Sequence, residues 1–484
     1  MYIGIDIGTS GVKSLLIDES QNIIATAHHS IKISRPHTGW SEQNPEDWIE
    51  ATKATLDSIK QSHAKQMSAI LGIGLSGQMH GATLLGKKDE ILRPCMLWND
   101  TRSNIEAAKL DNNPEFQKIS GNIVFPGFTA PKVFWVKNHE HEVFSKIHKV
   151  LLPKDYVRLW LTGEYVSDMS DASGTSWLNV EKRQWSSTLL DACELNQNQM
   201  PRLVEGSEVS GQLREKLAKR WGVSNPPLVA GGAGDNAASA CGMGIIKEGQ
   251  SFVSLGTSGV LFAASSSYSP NPKSAVHAFC HAIPDTWHQM GVVLSATDSL
   301  NWYSEITGVP ANDLSKELGN ELKAPSGVYF LPYLAGERTP YNDASIRGAF
   351  IGMSRSSDRK TLTQSVLEGV VFAIRDNMAA LEATGTQLRS LTAVGGGSKS
   401  HYWLKVLATA LNLPIDIPAR GDFGGAFGAA RLAILATSDQ ANSSVLTSPA
   451  IEQSFEPDKE YIDQYDEAYD TYKKLYPAIK SVTK

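Results

Sequence analysis

Cysteine is scarce in this chain. Cys95, Cys193, Cys241 and Cys280 are the four present in 484 residues, and no two share the short spacing of a disulfide framework or a metal knuckle. Such usage suits a reducing cytoplasm, the expected location. Basic excess is missing too. Lys and Arg number 45 against 51 Asp and Glu, a net charge of −6, so no nucleic acid is expected as a partner. No apolar run approaches the roughly 18 residues of a membrane span, so no membrane partner is expected either. Asp6 interrupts the first apolar stretch, which argues against a secretory leader. Low-complexity segments are absent.

What is present is a globular composition, 41% apolar and 20% charged. The length exceeds the roughly 250–300 residues that one core sustains, so at least two domains are expected. Strand and helix patterns alternate. Tyr2–Ile7 and Val12–Ile17 read as a hairpin with GTSG at its tip. Asp47–Ile59, behind Pro45, has helical spacing. Ala69–Leu75 reads as a strand entering the loop SGQMHG, with ATLL as a strand beyond it. Leu228–Ala230 is a short strand running into GGAGDNAASACGMG. Ser251–Leu255 and Val260–Ala264 flank a second GTSG. HQMGVVLSA reads as a strand and AVHAFCHAI alternates like one. Leu362–Leu381 is a long helix, LTAVGGGS a strand ending in glycines, and GGAFGAARLAILA opens another helix. Tyr461, Tyr465, Tyr469, Tyr472 and Tyr476 fall at helical spacing and predict a terminal helix docked by one face.

The pentapeptide GTSGV occurs at Gly8–Val12 and again at Gly256–Val260. A glycine–hydroxyl turn between strands bares backbone N–H groups and adds hydroxyls, a concave device for anionic oxygens. Gly8, Thr9 and Ser10 in one half, and Gly256, Thr257 and Ser258 in the other, suggest two loops gripping one polyphosphate. The copies differ in one respect: Asp6 precedes the first, and Ser254 holds the equivalent place in the second. A carboxylate beside a phosphate loop calls for a cation between them, and Mg²⁺, with its hard oxygen ligands, is the expected one. Lys13 either offsets further phosphate charge or is a solvent-facing strand lysine. GTSGVKS is not a Walker loop, because Val12 separates Gly11 from Lys13. GAGDNA satisfies the dinucleotide pattern G-x-G-x-x-A, yet SFVSLGTS lacks the acid that a ribose would require, which argues against a dehydrogenase. In that segment Asp235 is an acid at a strand-to-helix junction. Its position suits either an N-cap aspartate or a base that orients an acceptor hydroxyl during phosphoryl transfer.

These segments together resemble the FGGY carbohydrate kinase family along nearly the whole chain. DIGTSGVK is similar to its first phosphate loop, SLGTSG to its second, and GGGS at Gly395–Ser398 to its adenosine loop. Gly127–His139 (GFTAPKVFWVKNH) fits the first family signature. Gly348–Glu368 fits the second, except that Thr361 stands where an acid, amide or histidine is usual. The resemblance implies an α/β fold with two related ribonuclease H-like domains of the actin–hexokinase type, residues 1–245 and 246–484, on either side of a cleft.

SGQMHGATLL, WNDTR, LPKDY, SDMSDASGT, GAGDNAA and CHAIPDTWH are most similar to those members that phosphorylate D-xylulose at its 5-hydroxyl. Met79 and His80 replace an Arg-Glu pair of the glycerol kinases. The resemblance implies the following roles. Asp235 is the catalytic base. Asp6 is the second catalytic acid, working through Mg²⁺, which Asp6 and Asp235 would hold. Gln78, Met79, His80, Asn236 and Asp235 would bind sugar. Gly8, Thr9, Ser10, Lys13, Gly256, Thr257 and Ser258 would meet the phosphates of ATP, and Gly396 and Gly397 the adenosine. Trp98, Asn99 and Asp100 extend the pocket or form a packed turn. A homodimer is implied as well. The other readings are a kinase for a different ketopentose or polyol, such as ribulose, a filament protein, and an inert sugar-sensing regulator. A filament would not need GQMHG, and a regulator would be expected to lose Asp235.

Overall fold

The opening hairpin forms because its two apolar runs are joined by a turn that small residues can close. In the computed structural model, which describes residues 1–419 and 423–482, strand β1 (Tyr2–Ile7) pairs antiparallel with β2 (Gly11–Ile17), with Asp6 opposite Lys13. Strand β3 (Ile23–Ser30) continues this meander. Helix α1 (Pro45–Ser62) starts on Asn44, whose side chain accepts from the Glu46 N–H, and has Pro45 in its first turn. Its Trp48, Ile49, Leu56 and Ile59 are buried, each worth roughly 1.5–3 kcal/mol of burial. Strand β4 (Gly72–Gly77) runs parallel to β1. It starts later than Ala69, since the Ala69 and Ile70 amides still close a helical turn onto Gln66 and Met67, and it takes in Ser76 and Gly77. Helices α2 (Thr129–His139) and α3 (Pro153–Thr162) follow. Strands β5 (Val209–Gln212), β6 (Leu228–Ala230) and β7 (Ala233–Gly234) complete the sheet, in the order β5-β6-β4-β1-β2-β3, with β7 also on β4. Helix α4 (Asp235–Met243) leaves directly from β7.

The second sheet repeats the plan. Strands β8 (Ser251–Leu255) and β9 (Gly259–Ser265) form the second GTSG hairpin. With β10 (His277–Cys280), β11 (Trp287–Val293), β12 (Leu391–Val394), β13 (Ile415–Pro418) and β14 (Ile451–Phe455), the order is β10-β11-β9-β8-β12-β13-β14. As β4 is to β1, so β12 is parallel to β8. Helices α5 (Thr297–Thr307), α6 (Arg359–Glu382) and α7 (His401–Leu411) belong to this part. Then α8 (Gly425–Thr437) lies against β1 and β4 of the first sheet. Consequently the compact units cut the chain differently from a single break after residue 245. One unit holds Met1–Ile246, Phe279–Trp287 and Asp422–Ser448; the other holds Lys247–Ala278, His288–Gly421 and Pro449–Lys484. The last two residues lie outside the described ones.

The tyrosine-rich tail forms two helices, α9 (Ile462–Tyr472) and α10 (Leu475–Val482), rather than one. Tyr465, Tyr469 and Tyr472 are buried on one face of α9. Tyr476 lies past the break yet stacks on Tyr341 at 3.7 Å. Among the described residues no helix is long and apolar enough to cross a membrane.

Candidate functional site

In the first unit, three parallel strands end side by side. Their register places Asp6 of β1 opposite Ser76 of β4, Ala233 of β7 opposite Ser76, and Gly234 opposite Gly77. Asp6 and the residue after Gly234, Asp235, therefore emerge at the carboxyl ends of the two strands that flank β4, the usual place for a ligand in a parallel sheet. Ser76 Oγ donates to Asp6 Oδ1 at 2.8 Å. Burial holds the Asp6 carboxyl above its ordinary range, opposed by that hydrogen bond and by Lys13. Lys13 is pulled down by burial, with Asp6 opposing. Asp235 is pushed up to about 7, first by burial and second by repulsion from Asp6. Asn236 donates to Asp235 Oδ1 from its backbone N–H (2.7 Å) and its amide (2.9 Å), so it steadies the carboxylate. A Cβ at Gly425 would press on Ser76 Oγ and Asp6 Oδ1, so the N-terminus of α8 abuts the same acid.

The donor chemistry fits a hard divalent cation. The charge of Asp6 raises the Asp235 pKa, and a cation held by the two carboxylates would relieve that repulsion. The denser acidic cluster of Asp155, Asp168 and Asp171 is different. The buried Lys154 ammonium fills it, with Nζ at 2.6 Å from Asp155 and Asp168 and 3.1 Å from Asp171. Asp168 in turn accepts from Ser170 Oγ at 2.5 Å, and Ser170 Oγ accepts from the Gly234 N–H at 3.1 Å. A buried polar chain thus ends on the residue before Asp235. In the sequence these groups lie within LPKDY and SDMSDASGT, where nothing local marks their burial.

The sugar-loop residues are placed unequally. Gln78 is buried, and its amide is used within the protein: Oε1 accepts from Thr9 Oγ1 (3.1 Å) and Nε2 donates to Gln43 Oε1 (2.9 Å). Met79 is also buried, and its side chain fills the space that a Cβ on Gly174 or Gly234 would need. His80 is half-buried, stacked on Phe128 with ring centroids 4.5 Å apart, and its Nδ1 lies 2.8 Å from Gly174 O. Trp98 is 46% exposed and donates from Nε1 to Thr9 Oγ1 at 2.9 Å. Asp100 is buried and paired with Arg102 at 2.6 Å.

The first phosphate turn closes through Gly8 N–H to Gly11 O at 3.0 Å, and Gln43 Nε2 fixes Thr9 O at 2.7 Å. The Thr9 hydroxyl hydrogen goes to Gln78. Ser10 is exposed, whereas Thr9 is half-buried, so Ser10 is the hydroxyl of this turn that faces solvent.

In the second unit, the turn Gly256–Ser258 is tied to the start of α5: Gly256 O accepts from Thr297 N–H and Oγ1 at 2.9 and 2.8 Å, and Thr257 O accepts from Ala296 N–H at 2.8 Å. Because β12 runs parallel to β8, Gly395 arrives beside Leu255 and Gly256. Its φ of +92°, and the backbone that a Cβ would strike, require glycine. Gly396 and Gly397 then line a cavity of about 620 Å³, together with Thr297, Asn301, Lys399 and His401. That volume suits a nucleoside-sized ligand. Asp6, Lys13, His80, Asp235 and Asn236 thus lie in one unit, and Gly256, Thr257, Ser258, Gly396 and Gly397 in the other.

Comparison with known proteins identifies the family. Residues 1–242 match the N-terminal domain of the FGGY family of carbohydrate kinases, and residues 251–437 match its C-terminal domain. The chain is 46% identical to the xylulose kinase of Escherichia coli over 99% of each chain. Its structure superposes on a "xyloylose kinase" from Brucella ovis with TM-score 0.99, at 60% identity and covering 99% of both chains. The xylulose kinase of Rhodospirillum rubrum gives TM-score 0.93 at 27% identity, covering 100% of this chain and 99% of the other.

Proposed function

This chain belongs to the FGGY family of carbohydrate kinases, and on that premise we propose that it transfers the γ-phosphoryl group of ATP to the 5-hydroxyl of D-xylulose, giving D-xylulose 5-phosphate. The observation that carries the mechanism is Asp235: a carboxylate at the end of a parallel strand, its proton affinity lifted to about 7 by burial and by Asp6. A base of that strength accepts a hydroxyl proton at neutral pH while a phosphoryl group departs from ATP. His80 presents a ring already oriented by Gly174 and Phe128 to a sugar hydroxyl. Ser10 and the two glycine turns receive phosphate oxygens, and Gly396 and Gly397 leave room for the adenosine.

Asp6 and Asp235 would hold Mg²⁺, which neutralises phosphate charge when bound. The repulsion between these two carboxyls supports that assignment. Gln78 and Thr9 act behind the site, holding the sugar loop and the phosphate turn to one another. A cytoplasmic homodimer belongs to the same proposal; sedimentation of the purified protein tests the dimer. The reaction itself is tested by ADP release over a panel of ketoses and polyols. D-Xylulose should give the highest kcat/KM, ahead of D-ribulose and L-ribulose. A polyol or an aldose in first place would overturn the substrate assignment.

A further inference from the structure

His80 has a backbone that a residue with a side chain rarely adopts, φ +70°. Its carbonyl oxygen is gripped from α2. Thr129 Oγ1 donates to it at 3.1 Å and Lys132 Nζ at 3.0 Å. Lys132 is fully buried, and burial pulls its pKa down to about 7. A buried ammonium is expensive unless it is paired. Here the hydrogen bond it makes is to the His80 carbonyl, and no carboxylate forms an ion pair with it among the described residues. The first family signature contributes this lysine, and neither the proton transfer nor the phosphate turns make use of it.

We infer that Lys132, assisted by Thr129, is a positioning residue for the sugar site, because together they hold the His80 carbonyl oxygen and with it the left-handed backbone that aims the His80 ring. With that oxygen fixed, the ring lies flat on Phe128, 17° from parallel, and Nδ1 meets Gly174 O. A carbonyl only accepts, so Nδ1 carries a hydrogen and donates it to Gly174 O. The ring at the sugar loop is thereby held in one orientation. Without Lys132, residue 80 relaxes toward ordinary backbone angles and the ring loses its aim, while the ATP turns are untouched. This inference rests on the sugar-kinase reading above.

The test compares steady-state constants of folded full-length variants. Lys132→Met keeps the length and apolar bulk but removes the donor. It should raise KM for D-xylulose about tenfold, the effect of leaving a buried acceptor unpaired, and keep kcat and KM for ATP within about twofold. In a His80→Ala background the same substitution should change the sugar KM by less than about twofold, because the ring it positions is gone. Thr129→Val should raise the sugar KM about threefold, and Thr129→Ser, which restores the hydroxyl, should return it to the wild-type value. The Thr129 pair decides alone if Lys132→Met does not fold. An unchanged sugar KM in these variants, or an undiminished Lys132→Met effect without the His80 ring, overturns the inference while the kinase reading stands. A wild-type enzyme that releases no ADP with any ketopentose overturns the kinase reading, and this inference with it.

Discussion

At Asp235 two demands oppose each other. A base must be charged to accept a proton, and burial together with Asp6 resists that charge. Mg²⁺ held by Asp6 and Asp235 would offset part of that resistance, so the rate of sugar phosphorylation should rise with pH and level off no higher than about 7, as the carboxyl loses its proton. Asp235→Asn keeps the shape and removes proton acceptance. Turnover should fall by roughly 10²–10⁴ with little change in sugar KM, and near wild-type turnover would exclude Asp235 as the base. Stability should move the other way. The folded pKa lies above the unfolded value of 3.8, so the native chain holds the proton longer and loses stability as pH rises from 3.8 to about 7. Asp235→Asn is free of that loss. Its Tm should exceed the wild-type Tm at pH 8 and match it near pH 4, and equal shifts at both pH values would contradict the assignment. Asp6→Ala should weaken Mg²⁺-dependent use of ATP and leave calorimetric sugar binding in place; a folded variant that no longer binds sugar would make Asp6 part of the sugar site.

Helix α8 shows how small residues set the architecture around the site. A Cβ on Gly4 would strike Ala426 O, one on Gly74 would strike Ala429 O, and one on Gly428 would strike Ala238 O of α4. Gly428→Ala should therefore destabilise the protein by about 1–3 kcal/mol in urea titration. Gly396→Ala meets nothing within 4 Å. It should leave stability unchanged and weaken ATP binding alone, because Gly396 lines the nucleoside-sized cavity. The reverse pattern would contradict the close-packing account. The two hairpins were legible in the sequence because their signal is local: an apolar run, a glycine turn and a second run. The start of α6 was not, since Arg359, Lys360 and Thr361 are exposed or half-exposed and break the apolar period. Asp358 caps that helix through the Thr361 N–H at 2.8 Å. Thr361, the departure from the second signature, is thus the third residue of a helix, where a capping box places Glu or Gln. The substitution falls on a helix end.

For the whole molecule, the fold class and the doubled plan could be read from the repeat of GTSGV and the alternation of strands with helices. The division of the chain could not. GGAFGAARLAILA announces a helix, and its small residues show that it packs closely, but only the contacts with β1 and β4 show that residues late in the chain belong to the first unit. Nor could the glycines of GGAGDNA be read correctly by pattern. Gly231 faces Glu205 O, Gly232 faces Leu75 O, and Gly234 faces the Met79 side chain, so these positions are small for the protein's own packing rather than for a dinucleotide. Lys132 and the Lys154 cluster escaped because a buried lysine looks, in sequence, like any surface one. The central claim is that one proton and one phosphoryl group are exchanged at the 5-hydroxyl of a ketopentose. Phosphorus NMR of wild-type enzyme turning over ATP and D-xylulose tests it most directly. The account predicts one ADP per sugar consumed and a single new phosphate resonance coupled to the C5 protons. ATP loss without a sugar phosphate, or a phosphate on another carbon, would contradict it.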